Sequence, residues 1–249
     1  MINDIWTVMR KEFRELLLGR GTARGSLGRM LIFLLILGVF TPYQMGKAWV
    51  QSPFVLFYAL WFPLMVVSSI VADSFAGERE RHTLETLLAS RLSDTSILLG
   101  KVLSVVAYAW GMILGMLIVG MVTVNLTHGH GKLLIYPPAI GFGAVGLSLL
   151  MSFLSASVGV LISLKASTVR QAQQTLSYIS IFVVIVPVIG IQILANVLSN
   201  ATRAHIRIAV AHSTVAGLMP VAVAILLALN AIFFCIAASR FQRAKLILD

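Results

Sequence analysis

Six stretches of this chain are long and almost free of charge, and they constrain its fold more than any other feature. They run from Met30 to Met45, Phe54 to Phe75, Ile97 to Leu126, Pro138 to Leu164, Leu176 to Leu198 and Thr214 to Ser239. A helix needs about 20 mostly apolar residues to cross roughly 30 Å of hydrocarbon, and inside lipid its backbone must satisfy its own hydrogen bonds. Of the 249 residues, 59% are hydrophobic and 11% charged, against roughly 45–50% and about 25% in soluble domains. The pattern predicts an all-α membrane protein with six transmembrane helices and leaves no room for a separate soluble domain of ordinary size.

The net charge of +10 excludes a nucleic-acid reading once its distribution is followed, because the basic residues gather in particular loops. With a cytoplasmic N-terminus, the inner segments hold Arg10, Lys11, Arg14, Arg20, Arg24, Arg29, Arg79, Arg81, Arg91, Lys101, Lys165, Arg170, Arg240, Arg243 and Lys245. The outer segments hold only Lys47, Lys132, Arg203 and Arg207. This positive-inside asymmetry predicts that both termini are cytoplasmic. The single cysteine, Cys235, lies within the last stretch, so no intramolecular disulfide forms and the thiol reads as a small hydrophobe. No cleavable signal peptide is expected, since the first 28 residues are polar and amphipathic.

Residues 1–28 read as an interfacial helix and linker, residues 29–249 as one transmembrane unit. Ile2, Ile5, Trp6, Met9, Phe13, Leu16 and Leu17 recur at helical spacing, with Arg10, Lys11, Arg14 and Glu15 elsewhere around the wheel, the arrangement of a helix lying in the membrane interface. Gly111 and Gly115, and Gly141, Gly143 and Gly146, are small residues that let membrane helices approach. Gln192 and Asn196 are polar positions inside the fifth stretch, where side chains face protein or water rather than lipid.

Several chemistries find no residues to carry them. Gly100-Lys101 lacks the upstream glycine of a phosphate-binding loop and is followed by Val102, so ATP hydrolysis is not expected of this chain alone. His128 and His130 have no third ligand nearby in sequence, and no metal site is expected. No span contains a histidine to serve a serine nucleophile, and Asp73, the only acidic residue in the apolar stretches, lies close to the cytoplasmic boundary. The predicted chain has no catalytic residues and draws its energy from elsewhere.

One segment breaks the pattern. AGERERHTLETLLASRLSD, residues 76–94, is densely charged and joins the second and third spans on the cytoplasmic side. Leu84, Leu87, Leu88 and Leu92 fall at helical spacing on one face, with Arg79, Glu80, Glu85 and Arg91 on the remainder. The following Ser93-Asp94-Thr95 is a helix stop and a new N-cap. A leucine stripe on a cytoplasmic loop reads as a docking surface for another protein.

The run FAGERERHTLETLLA at residues 75–89, followed by SILLGK at residues 96–101, resembles the membrane subunit of type-2 ABC transporters, whose members show GERE-x-x-T-L-E-x-L-L and I-L-x-G-K in this loop. The closing Ser239-Arg240-Phe241-Gln242-Arg243 is similar to the basic-aromatic run that ends many of them. The resemblance implies the type-2 ABC transporter transmembrane fold, with a coupling loop over residues 76–96 that sits on a separate ATP-binding subunit. It assigns the ATPase-coupling interface to Glu78, Arg79, Glu80, Arg81, Thr83, Leu84, Glu85, Leu87 and Leu88. It also implies two permeases, identical or homologous, paired with two ATPase subunits that carry the ATP and Mg. Short re-entrant helices would occupy Ser199 to Ser213. The substrate path would run between the permeases, with Phe57, Trp61, Ser68, Gln192 and Asn196 as its candidates. Many members have Asn-Pro before the last span, where this chain has Met219-Pro220. The expected location is the inner (cytoplasmic) membrane of a prokaryotic cell, as a multi-pass protein. Two other classes compete with an exporter permease: a non-transporting membrane scaffold that recruits a cytoplasmic partner through the same loop, and an intramembrane enzyme.

Overall fold

The computed structural model describes residues 2–18, 28, 31–81, 91–197 and 215–241. Among them every regular element is helical. In chain order these are α1 (Ile2–Leu18), α2 (Leu31–Met45), α3 (Lys47–Gln51), α4 (Phe54–Glu80), α5 (Asp94–His128), α6 (Pro138–Ser163), α7 (Val169–Val197) and α8 (Val215–Arg240). Three of them, α4, α5 and α6, together with Gly217–Arg240 of α8, are long and apolar enough to cross a membrane. The 29-residue α7 is a further long helix, and α2 is apolar but shorter. Residues 199–213, where re-entrant helices were expected, lie outside the described residues. Pro220 stands inside α8 rather than ahead of it.

Helix α6 packs against α4, α5, α7 and α8, and α1 lies along α5. The buried core runs between α4 and α5 through Val67, Val71, Val102 and Ile113. Close approach is bought at particular glycines: a Cβ at Gly159 of α6 would stand 2.8 Å from Val71 Cγ1 of α4. Gly111 and Gly115 do not play that part within this chain. A Cβ at Gly111 would meet nothing within 4 Å, and at Gly115 only Leu34 Cδ1 at 3.6 Å.

Leu34–Phe40 of α2 is wound as a π-helix. The wider turn is marked by Thr41, whose hydroxyl donates to Ile36 O five residues back at 2.8 Å, the spacing of π rather than α hydrogen bonding. Gly38 in this stretch faces Val119 of α5, and Thr123 donates to its carbonyl at 3.2 Å. After α2 the chain reverses at Gly46, whose φ of +55° suits glycine. The reversal carries α3 inward, so that Trp49 is fully buried.

Trp49 anchors this end of the bundle. Its indole N–H donates to Tyr136 Oη at 3.0 Å, and Tyr136 in turn donates to Leu117 O of α5 at 3.1 Å. Burial pushes the Tyr136 phenol up to about 12, against the lowering effect of the Trp49 hydrogen bond. The hydroxyl therefore remains a donor at ordinary pH. The connection from α5 to α6 is latched by Asn125, which exchanges hydrogen bonds with Leu134 N and O at 2.7 and 2.8 Å.

Room for the indole comes from Gly120: a Cβ there would lie 2.6 Å from Trp49 Nε1. Gly120→Ala is therefore expected to displace Trp49 and cost about 1–3 kcal/mol. Thermal unfolding in detergent, followed by tryptophan fluorescence, measures it; an unchanged midpoint and spectrum would contradict this packing.

Candidate functional site

The charged segment begins inside a helix. Helix α4 does not end with its apolar run at Phe75 but continues through Ala76-Gly77-Glu78-Arg79-Glu80. Its far side begins at Ser93, the N-cap of α5, whose hydroxyl accepts from Ser96 N at 3.2 Å, as the Ser93-Asp94-Thr95 pattern predicts. Thr83, Leu84, Glu85, Leu87 and Leu88 lie outside the described residues. What is described is the root of the segment, and there Glu78, Arg79, Glu80 and Arg81 each have a definite partner.

Glu78 is buried, with 5% of its surface exposed. Its Oε1 accepts from Lys101 Nζ of α5 at 2.8 Å. The same ammonium donates to Glu12 Oε1 of α1 at 3.0 Å and to the Ser74 carbonyl of α4 at 3.0 Å. An ammonium has three N–H donors, and these three acceptors use all of them. The Lys101 side chain is 0% exposed, and those of Glu12 and Glu78 are 3% and 7% exposed. Phe75 presents its ring to the ammonium at 5.5 Å, a cation–π contact in a place water does not reach. Phe241 packs edge-on against the same ring at 5.9 Å. The two charged motifs and the closing aromatic of the chain thus meet in one cluster.

Gly100 makes the cluster possible. A Cβ at this position would stand 2.6 Å from Val8 Cβ and 3.2 Å from the Ile5 carbonyl. Glycine lets α1 lie directly on α5, and the next residue, Lys101, then reaches Glu12 one turn further along α1. The Gly-Lys pair therefore works as a packing and pairing unit.

The neighbouring charges tie down other helix ends. Arg79 donates to Leu164 O at 2.7 Å and Ala166 O at 3.3 Å, carbonyls at and just beyond the C-terminal end of α6, where a cation is favoured. Glu80 Oε2 accepts from the backbone N–H of Val169 at 3.1 Å, placing a carboxylate at the N-terminus of α7. Arg81 pairs with Asp73 at 2.9 Å, both partly exposed, which makes this the weakest of the four ties. Gly77 brings Val169 within reach, since a Cβ there would meet Val169 Cγ2 at 3.4 Å and Asp73 Oδ1 at 2.7 Å. The root of the segment is thus joined to α1, α5, α6 and α7.

The other expected residues divide. Phe57 and Trp61 share one face of α4, their rings stacked at 6.3 Å, and Phe54 stacks on Phe57 at 6.1 Å. Ser68 is buried instead, its hydroxyl donating to Leu64 O and lying 3.4 Å from Ser180 Oγ of α7. Gln192 and Asn196 belong to α7, with their side chains outside the described residues. His128 packs its ring on Gly46 and Tyr43. Glu12 has no part in the sequence reading, yet it is a member of the cluster. Its signal is legible afterwards: Ile5, Val8 and Glu12 share one helical face, so an acid stands in an apolar stripe.

This arrangement binds and positions helices. Removing one partner from a buried ion cluster costs about 3–5 kcal/mol, because the remaining charges are left uncompensated. Lys101→Met is expected to destabilise the chain by that amount, and Glu12→Leu/Glu78→Leu/Lys101→Met to recover most of it. Thermal unfolding of the purified variants decides; a Lys101→Met chain as stable as the parent would overturn the assignment. Gly100→Ala should separate α1 from α5 and weaken the Glu12–Lys101 coupling in a double-mutant cycle.

No curated protein matches the chain. Residues 41–239 match the family described as ABC-2 family transporter protein, a region that contains the charged segment, Lys101 and helices α4 to α7, while α1 with Glu12 lies before it. The family's members are membrane permease subunits that associate with an ABC ATP-binding subunit. The chain belongs to the ABC-2 transporter family, as a multi-pass membrane permease component.

Proposed function

We propose that this chain is the permease subunit of an ATP-driven exporter, acting as a pair of identical or homologous permeases with two ATPase subunits. In this reading residues 1–249 form one permease domain, with α1 and its linker over 1–28 and the transmembrane region over 29–249. Six helices cross the inner membrane of a prokaryotic cell: α2, α4, α5, α6, α7 and α8. Both termini are cytoplasmic. ATP and Mg belong to the partner, and the coupling loop 76–96 receives its motion.

The observation that carries the reading is the buried Glu12–Lys101–Glu78 cluster at the root of that loop. A partner pressing on residues 82–90 moves the end of α4. Through Lys101 and the Arg79 and Glu80 ties, that displacement is shared with α1, α5, α6 and α7. Leu84, Leu87 and Leu88 are the apolar contacts to the ATPase, with Thr83 and Glu85 beside them. Glu80 and Arg81 are exposed enough to reach the partner too, and the half-buried Arg79 borders them. Glu78 faces inward, so its share of the coupling is to hold the loop's root. Phe57 and Trp61, on the partly exposed face of α4, with Gln192 and Asn196, are the pathway residues between permeases, and Ser68, buried against Ser180 of α7, would join them only where α4 and α7 part; the aromatic stack supports an amphipathic cargo.

The docking reading predicts that an ATPase subunit co-purifies with this chain and is lost from Leu87→Asp/Leu88→Asp. Retention of the ATPase by that variant would remove the docking assignment. The transmission reading predicts that Glu12→Gln keeps the ATPase bound and active while ATP-dependent transport per ATP hydrolysed falls roughly tenfold, a coupling loss of about 1.4 kcal/mol. Equal transport per ATP in parent and variant would sink it. ATPase binding with no ATP-dependent transport by the reconstituted complex would instead leave a scaffold.

A further inference from the structure

The outward face of α1 is distinct from the face that holds the cluster. Ile5, Val8 and Glu12 turn toward α5, whereas Trp6, Arg10 and Arg14 follow one another at one-turn intervals on the opposite side. The expected single apolar stripe is therefore divided. Trp6 is 61% exposed and Ile2 79% exposed, because the Lys101–Glu12 pair and the Val8 contact at Gly100 fix the rotation of the helix. Lys11 is engaged by Glu15 at 3.6 Å, but among the described residues no carboxylate pairs with Arg10 or Arg14. A shallow groove lies here, lined by Trp6, Thr7, Arg10, Lys11, Arg14 and Glu15.

We propose that this groove holds the headgroup of an anionic phospholipid. Two guanidinium groups one helical turn apart supply directed donors to a phosphate, and the Trp6 ring suits the level between headgroup and acyl chain; the Thr7 hydroxyl is already given to Asn3 O at 2.8 Å. A soluble phosphate would not account for the exposed Trp6 and Ile2 on the same face, whereas a lipid covers both. The helix that senses the headgroup is the one pinned to Lys101, so the lipid bears on the same cluster as the coupling loop. The site itself stands independently of the transport reading.

The test uses the full complex in nanodiscs containing brominated phosphatidylglycerol or brominated phosphatidylcholine in an unbrominated phosphatidylcholine background. The Trp6 signal is isolated by subtracting a Trp6→Phe variant, since Trp49, Trp61 and Trp110 also fluoresce. Half-maximal quenching is expected at roughly tenfold less phosphatidylglycerol than phosphatidylcholine, from the attraction of basic residues to anionic lipid. Arg10→Gln/Arg14→Gln should abolish the difference, and inorganic phosphate at matched ionic strength should leave it intact. Equal quenching by both lipids in the parent would overturn the proposal even if the double variant failed to fold. Competition by inorganic phosphate would overturn the lipid assignment, and absence of quenching in the complex but not in the chain alone would give the face to the partner. None of these outcomes depends on transport.

Discussion

One end of this bundle depends on how a single ammonium group is satisfied. Lys101 sits with no exposure inside a helix whose neighbours are apolar, and a buried charge is tolerated only when paired and hydrogen-bonded. Its three donors find Glu12, Glu78 and the Ser74 carbonyl, one acceptor from α1 and two from α4. No two helices could supply that set with this geometry. The requirement therefore joins three elements that are far apart in sequence, and it fixes which face of α1 turns outward.

A second consequence concerns the charged segment between α4 and α5. It reads as an interruption of a hydrophobic chain, but its first residues continue α4 and bind the ends of α6 and α7. Arg79 meets carbonyls at the finish of one helix, and Glu80 meets an N–H at the start of the next. These contacts oppose the partial charges of helix termini with side chains of opposite sign. Such an arrangement resists local bending where a partner would apply force. Under the proposed coupling reading, this is where the ATPase subunit would press.

The opposite end of the bundle is built differently, with shape in place of charge. Trp49 enters the core through the turn at Gly46 and occupies the space left by Gly120, and its polar edge is passed through Tyr136 to a carbonyl of α5. Glycines chosen by spacing alone turn out not to be close-packing sites: Gly111 faces open space and Gly115 meets Leu34 only at ordinary contact distance. Those that matter, Gly100, Gly120 and Gly159, are identified by what lies opposite them. Spacing along one helix contains no information about the partner helix, so sequence alone does not distinguish a packing glycine from a vacant one.

The sequence by itself determined the helical class, the positions of the long apolar helices and the Ser93 cap. All of these follow from local composition and spacing, because lipid forces each segment to close its own backbone hydrogen bonds. The tertiary structure decided that Glu78 and Lys101 are partners, that Glu12 completes them and that Phe241 closes the cluster through Phe75. It also decided that α1 shows Trp6, Arg10 and Arg14 to its surroundings. These depend on the relative placement of helices, set by where a glycine admits a neighbour and where a buried charge finds its counter-charges. The chain carries those residues openly, but only the packed bundle shows which of them meet.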